Sequence, residues 1–207
     1  MNKKVIIFLA ISLSVVILLG VIFTRKAPRE PIIFSGESAS LRELSIDDKI
    51  REAQIIMIGE VKTTLPSKWK FHNEKDTKEA SPQEIFEAEG LFTDSIISIE
   101  QILKGNYAEP TIRARSFIGD TEKVRWNQSS EPSFRKGQTY LLFLKKDIGP
   151  TANVDPGDYI SVNANTAVYE IIDGKAVSAD DEWVLEDLIA HIQSSLSANL
   201  PTKPLVP

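Results

Sequence analysis

Three groups of residues in this chain have side chains suited to holding a ligand. Trp69, Phe71 and His72 interleave with Lys70 and Asn73, an aromatic and basic patch of the kind that anchors a partner. The plainer reading has Trp69 and Phe71 tucked onto a core while Lys70 and His72 face water. Arg113 and Arg115 lie two apart on an alternating segment, and Arg125-Trp126 follows, so a strand face could be cationic and bind a ligand. Alternating arginines are more often a solvated sheet face paired with some of the many acids. Asp155, Asp158 and Asn163 offer oxygen ligands for calcium, yet Asp155-Pro156-Gly157-Asp158 is first of all a turn. His191, between Ala190 and Ile192, reads as a helix-surface or boundary residue. Asn127-Gln128-Ser129 fits a glycosylation sequon, which matters only in a eukaryotic secretory route.

Catalytic signatures are missing. The chain contains no G-x-S-x-G, H-E-x-x-H, P-loop or G-x-G-x-x-G. It has no cysteine, hence no disulfide, no thiolate metal ligand and no lipid-bearing cysteine, and its two histidines, His72 and His191, are far apart. No catalytic residue, metal or cofactor is expected. The expected ligand contacts are Trp69, Phe71, His72, Arg113, Arg115 and Trp126. An enzyme using an acid/base pair among the carboxylates is the rival reading, and an accessory subunit of a membrane complex is a third.

Residues 5–23 carry no charge and are interrupted only by Ser12, Ser14 and Gly20. At about 1.5 Å per helical residue they span roughly 28 Å, close to the ~30 Å hydrocarbon core of a bilayer. Lys3 and Lys4 precede the run, and Arg25 and Lys26 close it. A cleaved signal peptide shares the basic start and apolar stretch, but cleavage wants small residues where this run ends in Val21-Ile22-Phe23-Thr24-Arg25. The expectation is a retained single-pass anchor in the cell membrane. Positive charges flank it almost evenly, so the positive-inside rule is nearly tied, and the very short leader favours an extracytoplasmic body.

Residues 1–26 hold four of the 24 basic residues and none of the 29 acidic ones, so the remainder carries 20 against 29, a formal −9. Such a body is repelled by phosphate backbones and anionic headgroups, and nucleic acid is not an expected partner. A protein or envelope component is.

The elements that must position these residues follow from capping and periodicity. Residues 27–39 read as a linker, 40–198 as one soluble domain and 199–207 as a flexible proline-rich tail. Ser45-x-x-Asp48 opens a helix over 46–53 with Ile46, Ile50 and Ala53 on one face. Strands are expected at 54–61 with a bulge at Gly59, at 94–103 up to a turn at Lys104-Gly105-Asn106, and at 111–117. Further strands are expected at 124–126, 139–145, 159–162 and 167–172. A short helix is expected at 82–89. Ser178-x-x-Asp181 is expected to cap a last helix of about 14 residues, striped by Leu185, Leu188, Ile189, Ile192 and Leu196. Close-spaced strands between flanking helices predict a mainly β fold, a five-stranded OB-like antiparallel barrel with terminal helices, preceded by the membrane helix.

Three segments together resemble the netrin-like domain: Ala53-Gln54-Ile55-Ile56-Met57-Ile58-Gly59-Glu60-Val61, then Ser98-Ile99-Glu100-Gln101-Ile102-Leu103-Lys104-Gly105, then Phe134-Arg135-Lys136-Gly137-Gln138-Thr139-Tyr140-Leu141-Leu142-Phe143. That superfamily includes the tissue inhibitors of metalloproteinases and cysteine-free bacterial versions. The resemblance covers residues 41–196 and implies an OB-type barrel with terminal helices. The inhibitors chelate protease zinc through an amino-terminal cysteine, and this chain has none, so that mechanism does not carry over.

Overall fold

The computed structural model describes residues 32–36, 43–69, 91–121, 124–149 and 159–198. The expected anchor at 5–23, the helix at 82–89, the turn at 155–158 and the tail at 199–207 lie outside them. Among the described residues no helix is long and apolar enough to cross a membrane.

Strand β1 (Ile32–Gly36) comes first, and helix α1 (Ile46–Glu52) follows. Next are β2 (Ile55–Thr64), β3 (Lys68–Trp69), β4 (Leu91–Lys104), β5 (Thr111–Ser116), β6 (Gly119–Asp120) and β7 (Val124–Gln128). The chain continues through β8 (Thr139–Lys146), β9 (Tyr159–Ser161), β10 (Val168–Ile172), β11 (Lys175–Val177) and β12 (Glu182–Val184) to α2 (Leu185–Ala198). Ile32–Gly36 falls inside the expected 27–39 linker, yet it pairs in parallel with β7, so part of that stretch belongs to the folded body.

Five strands close a ring in the order β8-β2-β4-β5-β9 and back to β8. The fold is mainly β, with an OB-like closed barrel and two α-helices among the described residues. One detail of the expectation needs correcting: the barrel is not wholly antiparallel, because β5 and β9 run parallel. The reason is arithmetic, since an odd number of strands cannot alternate direction all the way around a closed ring.

Alternation fills both faces of the wall. Tyr140, Leu142 and Leu144 of β8 point inward with Ile55, Met57, Val61, Ile97, Ile112 and Ala114. Leu141 and Phe143 point outward with Ile56 and Ile58, beneath Ile50 of α1 and Leu188 and Ile192 of α2. Burial on both sides explains the continuous apolar run of β8, which a one-sided strand would not need.

Ser45 caps α1 as expected, its hydroxyl accepting from the Asp48 N–H at 3.2 Å, with Asp47 and Asp48 in the positive first turn. The far end of α1 is closed by Lys104, whose Nζ donates to the carbonyls of Ile50 and Ala53 at 2.6 Å each. Buried Lys49 fastens the same helix to the barrel through Thr166 O at 2.7 Å and the Tyr169 hydroxyl at 3.1 Å. Helix α2 has the expected 14 residues and apolar stripe, but Ser178 does not cap it. The Ser178 N–H donates to Asp181 O in a turn, β12 intervenes, and the helix begins at Leu185, whose N–H reaches Gly174 O.

Strand β2 shifts register against β4 between Ile58 and Gly59, and again between Val61 and Thr63. A β-carbon on Gly59 would lie 2.5 Å from Ser98 O and 2.8 Å from Ile97 Cγ2. Gly59→Ala is therefore expected to destabilise the chain by about 1–3 kcal/mol, read as a lower denaturant midpoint.

Candidate functional site

The inward face of the barrel changes chemistry toward one end. On β5 it runs Ile112, Ala114, Ser116; on β4 it runs Ile97, Ser95, Thr93. On β2 the shift around Lys62 makes Thr64, rather than Thr63, the partner of Ser95, and their hydroxyls lie 3.4 Å apart. The alkyl core thus gives way to hydroxyls at the end where β2 and β5 finish and β4 and β8 begin.

A pocket of about 320 Å³ opens there, near the lower bound of the ~300–1,000 Å³ usual for small-molecule sites. Its floor holds Ser95, Thr93 and Ser116, and Phe134 forms part of its wall. Gly119 brings β6 against the mouth, since a β-carbon there would sit 2.7 Å from Leu91 Cβ and 2.9 Å from Ser67 Oγ. Asp120, Arg125 and Asn127 stand on the rim.

Hydrogen-bond directions inside the pocket can be worked out. The Asp120 N–H donates to Ser67 Oγ at 2.9 Å, and Thr93 Oγ1 donates to Ile118 O at 2.7 Å. Ser67 Oγ and Thr93 Oγ1 are 2.8 Å apart, and the single Thr93 proton is already used, so Ser67 donates to Thr93. Ser116 is outside this chain of bonds. It is 3% exposed, and its Oγ has no hydrogen-bond partner among the described residues. A buried hydroxyl left that way costs about 1–3 kcal/mol, a debt that a bound polar group would remove. At the rim, Arg125 Nε and Nη2 both donate to Asp120 Oδ2, at 2.9 and 2.6 Å.

The described residues among the expected ligand contacts lie on β3, β5 and β7. Arg115 is fully buried, contrary to both readings that put it on an accessible face. Its Nε and Nη2 grip Asp94 at 2.8 and 3.1 Å, its Nη1 reaches Asp147 at 3.1 Å, and its guanidinium lies 4.0 Å from the centre of the Phe92 ring. Asp94 sits directly across the ladder from Arg115, and only a side chain with five fixed donors could satisfy two buried carboxylates at once. Arg113 shares the outer face of β5 and is half-buried opposite Ile96. Trp126 is half-buried in β7, on the strand face opposite Arg125 and Asn127. Trp69 pairs with Leu91 through β3, and Phe71 and His72 lie outside the described residues. Asp155 and Asp158 lie outside them too, while the Asn163 amide donates to Thr166 at 2.8 Å. His191 is half-buried and 2.9 Å from Asp47. Among the described residues, no three His, Asp or Glu side chains gather in a metal-holding group.

Sequence reasoning passed over the hydroxyls of the mouth. Ser116 was legible as a continuation of the Ile112–Ala114 face, but its partners on the wall come from four separate segments.

One further carboxyl stands out. Glu131 borders a shallow depression of about 280 Å³ next to the mouth, and burial raises its pKa against the lowering effect of the Phe117 N–H at 3.0 Å. Glu170 borders the same depression and pairs with Arg135 at 2.6 Å. The chain matches no protein-family model, and no curated protein matches it.

Two outcomes are expected here. Arg115→Met would strand Asp94 and Asp147 without the cation between them, costing about 3–5 kcal/mol in equilibrium unfolding. Glu131 ionises less readily folded than unfolded, so its stabilisation is complete below its ordinary pKa near 4.5 and is lost as pH rises through the higher folded value. Melts of Glu131→Gln against the parent should therefore show the variant gaining relative stability from pH 4 to pH 7.

Proposed function

We propose that this chain is a membrane-anchored, extracytoplasmic binding module of netrin-like build, and that its ligand enters at the hydroxyl-lined mouth of the barrel. The observation that carries the reading is Ser116, a buried hydroxyl facing a pocket with no hydrogen-bond partner among the described residues. The OB-like strand order and the terminal helices support the netrin-like build. The apolar, uncharged run at 5–23 supports the anchor, and the acidic remainder supports an envelope component over nucleic acid. The cation expected to serve a ligand, Arg115, is already held by two aspartates, which shifts the binding surface from the outer strand face to the mouth.

The absence of cysteine from the chain makes a direct test simple. Two full-length variants are expressed in the native cells, Ser133→Cys at the exposed rim and Ile148→Cys at a 91% exposed control position. A membrane-impermeant maleimide should label both in intact cells, placing the body outside. Ser133→Cys should react more slowly in cells than after purification, relative to Ile148→Cys, because the mouth is occupied. Labelling only after lysis would overturn the location. Unchanged relative rates would overturn the mouth as the binding site.

A further inference from the structure

Resting on the mouth as the binding site, we infer that its ligand is a neutral, polyhydroxylated group, a sugar ring presented free or within a glycan. Charge favours a neutral ligand. Among the described residues Asp120 and Arg125 are the only ionisable side chains in the pocket lining, and they neutralise each other. A phosphate or sulfate would meet the Asp120 carboxylate with no surplus cation, and an amine would meet Arg125.

The pattern of donors and acceptors points the same way. Arg125 Nε and Nη2 both go to Asp120 Oδ2, leaving Asp120 Oδ1 as an acceptor and Arg125 Nη1 as a donor at the rim. Ser116 Oγ can donate or accept from the floor. Adjacent hydroxyls, each able to give and take one bond, match such a mixed set; a purely accepting anion or a purely donating cation does not. The Phe134 ring, held edge-on against Tyr140 at 5.4 Å, offers an apolar surface to the C–H face of a pyranose.

An extended peptide is the main competitor, and it fits the mouth less well. Strand addition needs an edge with unpaired N–H and C=O groups. Of the strands that line the pocket, β4 and β5 are paired on both sides, β2 is paired with β4 along its length and with β8 as far as Glu60, and β6 has only β7 beside it among the described residues. The open edge offered to a peptide is short, two residues on β6 and Lys62–Thr64 on β2, and the Asp120 N–H of β6 already donates to Ser67 Oγ.

The test uses the full chain in lipid nanodiscs, with the Ile118 methyl in the pocket wall as the NMR probe and the core Ile192 methyl as control. Four soluble probes are titrated: neutral monosaccharides, neutral oligosaccharides, a sulfated oligosaccharide and a short uncharged peptide. A neutral sugar should shift Ile118 saturably, leave Ile192 in place, and bind equally at low and high ionic strength. Saturation by monosaccharides would identify the free sugar as sufficient, and saturation by oligosaccharides alone would point to a glycan. Ser116→Val should weaken binding about tenfold. Asp120→Ala, at an exposed rim position whose ion pair adds little to stability, should weaken it similarly. A shift from the sulfated or peptide probe without one from any neutral sugar would overturn the sugar class. Silence from all four would do so too, and with slowed Ser133→Cys labelling in cells it would leave the mouth standing with a different ligand.

Discussion

Closure of the barrel depends on a seam only three residues long. Strand β9, Tyr159–Ser161, pairs with β5 on one side and β8 on the other, and without it the ring is an open sheet. So short a strand supplies few ladder bonds, and the seam is reinforced from outside by Arg115. That side chain leaves β5 beside β9, grips Asp94 on β4 and reaches Asp147 just past the end of β8. One guanidinium therefore ties three of the five barrel strands where pairing is thinnest. The Tyr107 and Tyr159 rings, edge to face at 5.9 Å, add an aromatic contact near the same seam.

Burying three charges is costly, and apolar residues of similar volume would often be as stable. What apolar packing would lack is direction. A guanidinium satisfied by two particular carboxylates fixes the alignment of β4 with β5 and the exit of β8, whereas a greasy contact tolerates a slipped register. Register matters here because a one-residue slip on β5 would turn Ser116 outward and Arg115 into the barrel. In this sense the ion cluster outside the wall and the hydroxyl pocket inside it are two readouts of one alignment.

Much of this architecture was legible in the chain. The Ser45 cap, the Gly59 irregularity, the doubly apolar β8 and the α2 stripe are local patterns, and each appears where periodicity puts it. What escaped was whatever depends on a distant partner. Arg115 looks like a surface arginine until Asp94, 21 positions earlier, is placed across the ladder. Ser178-x-x-Asp181 has the spacing of a helix cap, and only the pairing of β11 with β12 shows that the chain turns there into another strand. The start of the folded body at Ile32 was hidden because β1 has nothing to pair with until β7, 92 residues on, completes it.

The mouth illustrates how an irregularity can create a site. In an unbroken β2, residues 55, 57, 59, 61 and 63 would share the inner face, ending on Thr63. The shift beyond Val61 passes that role to Thr64, and the following Leu65-Pro66-Ser67 then folds over the rim, where Ser67 meets Thr93. Gly119 lets β6 approach close enough for its next residue to donate its N–H to Ser67. Each wall hydroxyl that finds a protein partner makes the pocket more rigid. Ser116, directly across the ladder from Thr93, receives no proton from it, because the Thr93 proton is committed to Ile118 O. The same ordering that stiffens the wall leaves one polar group on the floor for something else to satisfy.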